Sequence, residues 1–284
     1  SASHSYPVYP ASSSADARTK ITRYPNPTNT LDKYQAGQMM GDIYGYETIG
    51  IAKSKDEMDQ HLASLPNGGQ NALGTNWDAG DIMYKDLNGD GKIDNGGNKY
   101  DDMGDMKKIG NNTPRYLFGL DLNADYKGFD FRAFFQGVMK RDYWQGSAYF
   151  WGATSLWHST GFVEHADYFR AEASNDLPAN LNAYYPRPVF DSSKNRQRQT
   201  AYLQNAAYIR LKNVQLGYTL PANLTHKFYV SKLRVFVSGE NLWTGTSLAN
   251  MFDPETIGGG DDTDKNGNAY PLSKTISFGI SVTL

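Results

Sequence analysis

A short acidic loop carries the residues of this chain that are best suited to binding a metal ion. Oxygen donors lie at loop positions 1, 3, 5, 7 and 9, which are Asp86, Asn88, Asp90, Lys92 and Asp94. The donor at position 7 is the main-chain carbonyl of Lys92. Gly91 occupies position 6, where the lack of a side chain permits the sharp turn that brings the donors together. Calcium takes about six to eight oxygen ligands of this kind. The spacing therefore predicts a calcium ion with a structural role in stiffening the loop.

The pattern departs from a complete EF-hand loop at position 12, where Gly97 replaces the usual glutamate. Asp101 or Asp102 is the candidate for the missing carboxylate. The alternative is a turn that is held by its own Asx hydrogen bonds and binds no metal. A second acidic stretch, 262–267, begins with the same spacing but lacks the later ligands, so a solvated loop is the better expectation there.

Tryptophans within or beside polar stretches are the candidates for contact with a substrate: Trp77, Trp151 and Trp157. Aromatic faces can stack on sugar rings or on the side chains of peptides. The alternative is that these rings anchor the chain at a membrane interface or pack within their own loops.

The composition excludes several classes of function. The 284 residues include 28 basic and 30 acidic side chains, a formal charge of −2, so the chain has no field that would attract nucleic acid. The absence of Cys excludes a disulfide scaffold, a thiolate metal site and a cysteine nucleophile. The 5 His residues are scattered without an HExxH pattern, and no GxSxG motif is present. We therefore expect neither an enzyme nor a nucleic-acid-binding protein.

Alternating side chains indicate long β-strands in the sequence after residue 114. Apolar residues occupy the even positions of Arg115–Tyr126 and polar residues most of the odd ones, and a similar alternation recurs over 129–138, 214–220 and 276–284. Only Lys127-Gly128 separates the first two of these segments, which predicts a tight hairpin.

Three further elements can be predicted from local patterns. The segment 41–52 has the composition of a strand. Ser54 and Glu57 form a capping-box pattern, which predicts a short helix that ends before Pro66. The alternation changes phase near Lys212-Asn213, which predicts a β-bulge.

Two architectures would produce such strands. A soluble sandwich buries one face of each sheet, whereas a transmembrane barrel turns its apolar face to lipid and needs about 9–11 residues per strand. The strands here are long, and the polar stretches 54–114 and 141–204 match the long loops on one side of a barrel. A helical membrane protein is excluded, because the mean hydropathy is −0.62 and no apolar run reaches about 18 residues. We predict an all-β fold of antiparallel transmembrane β-barrel strands with long extracellular loops.

A series of short motifs runs along the chain over about 40–284. They are Gly80-Asp81-Ile82, the acidic loop from Asp86 to Asp94, Ile109-Gly110-Asn111, Pro114-Arg115-Tyr116, Tyr126-Lys127-Gly128-Phe129-Asp130, Phe135-Gln136-Gly137, Tyr208-Ile209-Arg210-Leu211-Lys212-Asn213-Val214, Leu216-Gly217-Tyr218-Thr219-Leu220-Pro221, Glu240-Asn241-Leu242-Trp243, Asp253-Pro254-Glu255 and Tyr270-Pro271. Each motif is weak alone, but the ordered set is specific: it resembles the C-terminal part of the SusC/RagA family of TonB-dependent outer-membrane transporters, in the order of that family.

The resemblance implies the C-terminal segment of a plugged barrel of about 22 strands in the bacterial outer membrane. It implies import of oligosaccharides or peptides, a SusD-like surface lipoprotein as lid, and TonB acting through an N-terminal region outside this sequence. Residues 41–284 would form the barrel segment, and 1–40 a loop or irregular tail. The other function that fits the residues is a secreted or surface calcium-binding β-sandwich that recognises glycans.

Overall fold

The computed structural model describes residues 30–31, 38–152, 154–155, 161–174, 176–257 and 269–284. The chain divides into two compact units. The first unit comprises Ser1–Thr113, Tyr143–Leu203 and Gly258–Gly267, and the second comprises Pro114–Asp142, Gln204–Ile257 and Asn268–Leu284. The long polar stretches predicted as loops therefore contribute most of a compact unit of their own.

Strands predominate among the described elements. The strands are β1 (Asp42–Tyr46), β2 (Thr48–Ile51), β3 (Ile82–Tyr84), β4 (Met106–Asn111), β5 (Arg115–Tyr126), β6 (Phe129–Lys140), β7 (Asp142–Trp144), β8 (Leu203–Asn205), β9 (Tyr208–Thr219), β10 (Lys232–Thr246) and β11 (Thr275–Thr283). The α-helices are α1 (Lys55–Ala63), α2 (Ala148–Trp151) and α3 (Ala222–Thr225), and 3₁₀ turns cover Val163–Ala166, Lys194–Arg196 and His226–Phe228. None of the helices in the described ranges has the length and apolar character needed to cross a membrane.

The first unit contains two small antiparallel sheets, β1 with β4 and β2 with β3. The strand predicted over 41–52 is divided in two, because β1 and β2 pair with different partners on either side of Glu47. Helix α1 confirms the predicted short helix and its cap: the Ser54 hydroxyl accepts the Glu57 N–H at 3.1 Å. The Glu57 carboxylate accepts the Lys53 N–H at 2.6 Å, one residue before the N-cap, so the second hydrogen bond of a capping box is displaced by one residue.

The core of the first unit is built around Tyr84, which is completely buried. Its ring lies 5.5 Å from that of Tyr46 and 6.4 Å from that of Trp77. Its hydroxyl donates to the Lys194 carbonyl at 2.7 Å, so the buried polar end is satisfied. The unit thus has its own hydrophobic core with a hydrogen-bonded centre.

The second unit is one antiparallel sheet of five strands in the order β11-β10-β9-β6-β5. The predicted hairpin between β5 and β6 is confirmed: Tyr126 pairs with Phe129, and Lys127 and Gly128 have φ of 47° and 88°. Positive φ at both turn residues is the geometry that matches the twist of paired strands. The predicted bulge is also confirmed, because Lys212 has no partner in β6, whereas its neighbours Leu211 and Asn213 do.

The register of the sheet separates apolar from polar side chains. One row across all five strands consists of Ala124, Phe131, Leu216, Val237 and Phe278. The adjacent row consists of Asn123, Arg132, Gln215, Ser238 and Ser277. Because successive residues of a strand point to opposite faces, the sheet has one apolar and one polar face.

The apolar face is open. Phe131, Leu216 and Phe278 are 40%, 47% and 84% exposed, respectively. Among the described residues, the outer edges of β5 and β11 pair with no further strand. A soluble sheet buries such a face against a second layer.

Candidate functional site

An ion pair crosses three strands on the polar face of the second unit. Arg234 on β10 donates through Nε and Nη2 to the two carboxylate oxygens of Asp130 on β6. Gly217 on β9 lies between them, and a Cβ there would come within 2.4 Å of the Asp130 carboxylate. The glycine therefore makes room for a fork-shaped charge-assisted pair.

Other side chains continue this polar face. Arg132 forms a second forked pair with Asp121, with N–O distances of 3.1 and 2.7 Å. The ring of Phe236 covers Gly279, where a Cβ would lie 2.2 Å from the ring, and the Arg234 guanidinium lies 4.8 Å from the centroid of the same ring. An aromatic ring that covers a strand glycine helps to fix strand register.

A loop after β10 is clamped onto β9 by charge. Arg210, only 3% exposed, donates to Asp253 at 2.8 Å and to the Thr244 hydroxyl at 2.7 Å, and its Nη1 lies 3.1 Å from Glu255. Lys212 reaches the same Glu255 carboxylate at 2.8 Å. Burial raises the pKa of Asp253, but the Glu255 N–H and the Arg210 guanidinium outweigh burial and hold it below its ordinary value. Two motifs that the sequence analysis treated separately, at 208–214 and 253–255, therefore meet.

The acidic loop is closed largely by its own main chain. The Asp86 carboxylate accepts the N–H groups of Gly89 at 2.6 Å and Gly91 at 2.9 Å. Asp90 accepts the Lys92 N–H at 3.1 Å, and the Lys92 ammonium lies 2.5 Å from the Asp94 carboxylate. These are the Asx-type hydrogen bonds of the metal-free alternative.

Two further carboxylates lie against the loop: Asp102, one of the two candidates for the missing ligand, accepts the Gly97 N–H at 2.8 Å, and Asp105 contacts the loop from outside the motif. Asp105 is completely buried and accepts the N–H groups of Leu87 at 2.7 Å and Asp94 at 2.9 Å. Burial, with a further contribution from the charge of Asp86, raises its pKa although N–H donors oppose the shift. No signal in the sequence distinguished Asp105 from other acidic residues.

The described residues contain no group of three or more His, Asp or Glu side chains placed to hold a metal ion. The loop brings the predicted donors Asp86, Asn88, Asp90, Lys92 and Asp94 onto one turn, where local hydrogen bonds already engage several of their side-chain oxygens. Calcium at this loop stays a prediction.

The two described candidate tryptophans lie in different aromatic clusters. Trp77 is buried, donates its indole N–H to the Gly74 carbonyl at 3.0 Å, and carries the Lys194 ammonium 4.9 Å from its ring centroid. Trp151 donates to the Gln145 carbonyl at 2.8 Å and packs 4.8 Å from the ring of Tyr202. Trp157 lies outside the described residues.

Trp151 also lines a cavity of about 450 Å³ in the first unit, the aromatic cavity. Its apolar walls include Trp151, Phe162, Tyr168, Tyr185, Pro186 and Pro188. Polar groups enter from His165, Arg187, Asn195 and Arg196. A concave, mostly apolar site with a few polar groups is the usual form of a small-molecule site.

One wall of the aromatic cavity is fixed by the buried carboxylate of Asp81. Arg187 donates to both its oxygens at 2.8 and 2.7 Å, Lys194 at 2.7 Å and the Asn195 amide at 2.8 Å. Burial raises the pKa of Asp81, but these donors outweigh burial and hold it below its ordinary value. Gly80 precedes it with φ of 85°, and a Cβ there would lie 2.4 Å from the Phe169 ring. In the sequence, Gly80-Asp81 is recognisable only as part of a motif. No local pattern indicates that Arg187 and Lys194 are the partners of Asp81.

The motif-based resemblance can be compared with known proteins. No protein-family model matches the chain. Among curated relatives, TonB-dependent receptor P3 of Formosa agariphila is 28% identical over 87% of this chain, and TonB-dependent receptor P26 of the same organism is 26% identical over 87%. The alignments cover only 22% and 23% of those receptors. The chain therefore spans less than a quarter of the length of these relatives.

Solved structures with a similar fold include that of the RagAB peptide transporter, 21% identical with a TM-score of 0.55, covering 88% of this chain and 23% of that one. The RagAB peptide importer in its closed-closed state is 21% identical with a TM-score of 0.53, covering 92% and 25%. The predicted resemblance is confirmed: the curated relatives are TonB-dependent receptors, and the RagAB structures share the fold. The predicted location, the bacterial outer membrane, is confirmed with it.

Proposed function

We propose that this chain is a barrel segment of an outer-membrane importer of nutrients, of the SusC type and dependent on TonB. The observation that carries the proposal is the two-faced sheet of the second unit. Its apolar face is exposed at Phe278 and Leu216, and its polar face carries the Asp130–Arg234 pair. Such a sheet fits between lipid on one side and a water-filled lumen on the other.

The strand lengths support the same assignment. Strands β5, β6 and β9 each have 12 residues, β10 has 15 and β11 has 9. A tilted strand needs about 9–11 residues to cross the hydrocarbon region of a bilayer. The open outer edges of β5 and β11 are positions where further strands of a barrel would pair.

The partners follow from the same class of transporter. We propose a SusD-like surface lipoprotein as the lid and TonB as the source of energy, acting through a plug that this sequence does not include. RagAB, whose fold this chain shares, is a peptide importer, which supports import as the activity. Both peptides and oligosaccharides are retained as substrate classes.

Calcium is part of the proposal as a structural ion of the acidic loop. Its support is the convergence of oxygen-bearing side chains on one turn beside the buried Asp105, whose pKa is raised by burial and, to a smaller extent, by the charge of Asp86. A divalent cation would relieve the repulsion between Asp86 and Asp105. Asp86, Asn88, Asp90 and Asp94 would hold it with their side chains, and Lys92 with its main-chain carbonyl.

The alternative of a calcium-binding β-sandwich that recognises glycans has less support. A sandwich packs a second sheet on the apolar face. In the described part of the second unit, the five strands form a single sheet.

The proposed activity is tested by deleting the gene and measuring nutrient uptake. A protein digest and a polysaccharide digest are supplied in turn, and mass spectrometry follows their depletion from the medium. We expect the deletion strain to lose uptake of components of one digest and the reintroduced natural gene to restore it. Uptake of both digests at the parental rate would contradict the proposal.

A further inference from the structure

The aromatic cavity contains polar groups whose hydrogen bonds can be followed one by one. Its volume of about 450 Å³ is within the range of small-molecule sites, roughly 300–1,000 Å³. A ligand inside it would meet aromatic rings and prolines on most sides. The polar groups that lack a protein partner would therefore decide which ligand binds.

His165 has no free ring nitrogen for a ligand. Its Nδ1 accepts the Phe162 N–H at 2.9 Å, and its Nε2 lies 2.9 Å from the Phe150 carbonyl, to which it donates. This pairing holds the imidazole in one tautomer and uses both nitrogens. His165 therefore shapes the wall and offers no further hydrogen bond from the ring.

Arg187 and Asn195 are engaged by Asp81. Two donors of the Arg187 guanidinium contact the Asp81 carboxylate at 2.8 and 2.7 Å, and its Nη2 also donates to the Asn76 carbonyl at 2.9 Å. The Asn195 amide donates to Asp81 at 2.8 Å and accepts the Ile82 N–H at 3.0 Å. The charge of Arg187 is thus met within the protein.

Arg196 is different, because its guanidinium forms no ion pair with a carboxylate of the described residues. Its Nε and Nη2 donate to the Ser192 carbonyl at 3.1 and 2.9 Å, which leaves Nη1 without a hydrogen bond in the described part of the chain. No acidic side chain among the described residues lies within 4.0 Å of the Arg196 guanidinium, the limit for an ion pair. The side chain is half-buried, and burial lowers its pKa although Asp191 opposes the shift. Asp191 attracts this partly desolvated cation from a distance, but no carboxylate of the described residues forms a charge-assisted hydrogen bond with it.

We propose that the aromatic cavity binds a ligand carboxylate at Arg196 while a flat apolar body of the same ligand packs against the rings of Trp151 and Tyr168. The carboxylate can come from the C-terminus of a short peptide or from a uronic acid residue of an oligosaccharide. This inference rests on the proposed import function and adds to it that the cargo, or its bound end, is anionic.

The test uses the natural protein purified from outer membranes in detergent and isothermal titration calorimetry. One pair of probes is the dipeptide Ala-Phe and its C-terminal amide, and the other is cellobiouronic acid and cellobiose. Each pair differs in the carboxylate and retains the apolar body. We expect at least tenfold tighter binding of the acid within one pair, and the pair that responds identifies the source of the carboxylate. Equal binding of acid and neutral probe in both pairs would overturn the proposal.

Variants locate the interaction. Arg196→Gln should abolish the preference for the acid, and Lys55→Gln, which removes an equal charge at an exposed position of the same unit, should leave it unchanged. Val189→Trp fills the cavity with Arg196 intact and should prevent binding of all probes. An undiminished acid preference in Arg196→Gln, or undiminished binding in Val189→Trp, would contradict the assignment of the site.

The outcome is separable from that of the proposed function. If none of the four probes binds although the gene supports uptake, the inference about Arg196 is wrong and import stands. If the acids bind at Arg196 although deletion leaves uptake unchanged, import is wrong and the carboxylate site stands.

Discussion

Arg234 and Asp130 lie on strands that are not neighbours, yet they form a forked ion pair across β9. The pair passes over Gly217, whose missing side chain leaves the space that both charged groups occupy. One contact thus ties β6, β9 and β10 together on the polar face. On the opposite face the same strands present exposed apolar side chains.

Replacing Gly217 with alanine should weaken this part of the sheet. A Cβ there would meet both Asp130 and Arg234 at 2.4 Å, so the ion pair must open to admit it. We expect destabilisation of about 1–3 kcal/mol, measured as a lower temperature at which the folded band disappears on gels of heated, detergent-solubilised protein. Gly50→Ala is the matched control, because a Cβ at Gly50 meets nothing within 4 Å. Equal melting of both variants and the natural protein would refute this role of Gly217.

A lysine on the apolar face of the sheet should impair insertion into the membrane more than a lysine on the polar face. Leu120 and Phe278 are 49% and 84% exposed, respectively. If this face lay in water, a lysine at either position would not destabilise the sheet. In lipid, Leu120→Lys or Phe278→Lys should cost about 2–4 kcal/mol near the bilayer midplane. Ser277→Lys places the same charge on the polar face and should cost less. The amount of folded protein in the outer membrane measures the difference, and equal amounts for the two faces would contradict the lipid-facing register.

Calcium should protect the acidic loop if the metal prediction holds. Ionised Asp86 is favoured, because N–H donors from Gly89 and Gly91 outweigh burial and lower its pKa. We expect added calcium to slow proteolysis within 86–105 and a chelator to accelerate it. Asp86→Asn should remove the response to calcium. Proteolysis that is indifferent to calcium in the natural protein would support the metal-free Asx turn instead.

Low pH should loosen the cluster at Asp81. Its ordinary pKa is 3.8 and its folded pKa is lower, so the stability that it contributes is complete above about pH 4 and is lost as pH falls through the folded pKa. The protection factors of peptides covering 76–84 and 187–196, which correct hydrogen exchange for its intrinsic pH dependence, should therefore fall below pH 4. Asp81→Asn should destabilise the unit by about 3–5 kcal/mol at neutral pH, because it leaves Lys194 buried without its partner. Exchange unchanged in Asp81→Asn would exclude a stabilising role for this cluster.

The stability contributed by Asp105 should depend on pH in the opposite direction from that of Asp81. Its pKa in the folded protein is raised above 3.8, so the folded state holds the proton more tightly than the unfolded state. Stability from this group is present below pH 3.8 and declines as pH rises from 3.8 through the raised pKa. The loss of stability should be seen as a fall in the protection of peptides covering 86–94 against hydrogen exchange as pH rises. In Asp105→Asn this pH-dependent fall should be absent. The same pH dependence in the variant would show that Asp105 is not its source.

The second unit was largely predictable from the sequence because its structure follows a local period. Alternation over Arg115–Tyr126 fixes which side chains share a face, and Lys127-Gly128 fixes the hairpin and hence the register of β6. The helix after Ser54 was predictable for the same reason, since its cap lies within three residues. Each of these signals lies within a few residues of the element it specifies.

The first unit was not predictable, because its key contacts are distant in sequence. Asp81 and Lys194 are separated by 113 residues, and no local pattern links them. The division of 41–52 into β1 and β2 likewise depends on the choice of partners β4 and β3. The predicted calcium donors were placed on one turn, but the buried carboxylate beside them, Asp105, came from outside the motif.

The most direct test of the account is the environment of two neighbouring residues on β11 in lipid. The 284 residues contain no Cys, so Phe278→Cys and Ser277→Cys can each carry a nitroxide label in the natural protein reconstituted in bilayers, with any Cys outside these residues replaced by Ser. Electron paramagnetic resonance then compares collisions with oxygen, which concentrates in lipid, and with a water-soluble nickel chelate. The account predicts oxygen-dominated collisions at position 278 and lower access to oxygen at 277. Chelate-dominated collisions at 278 would place the apolar face in water and contradict the membrane-spanning sheet.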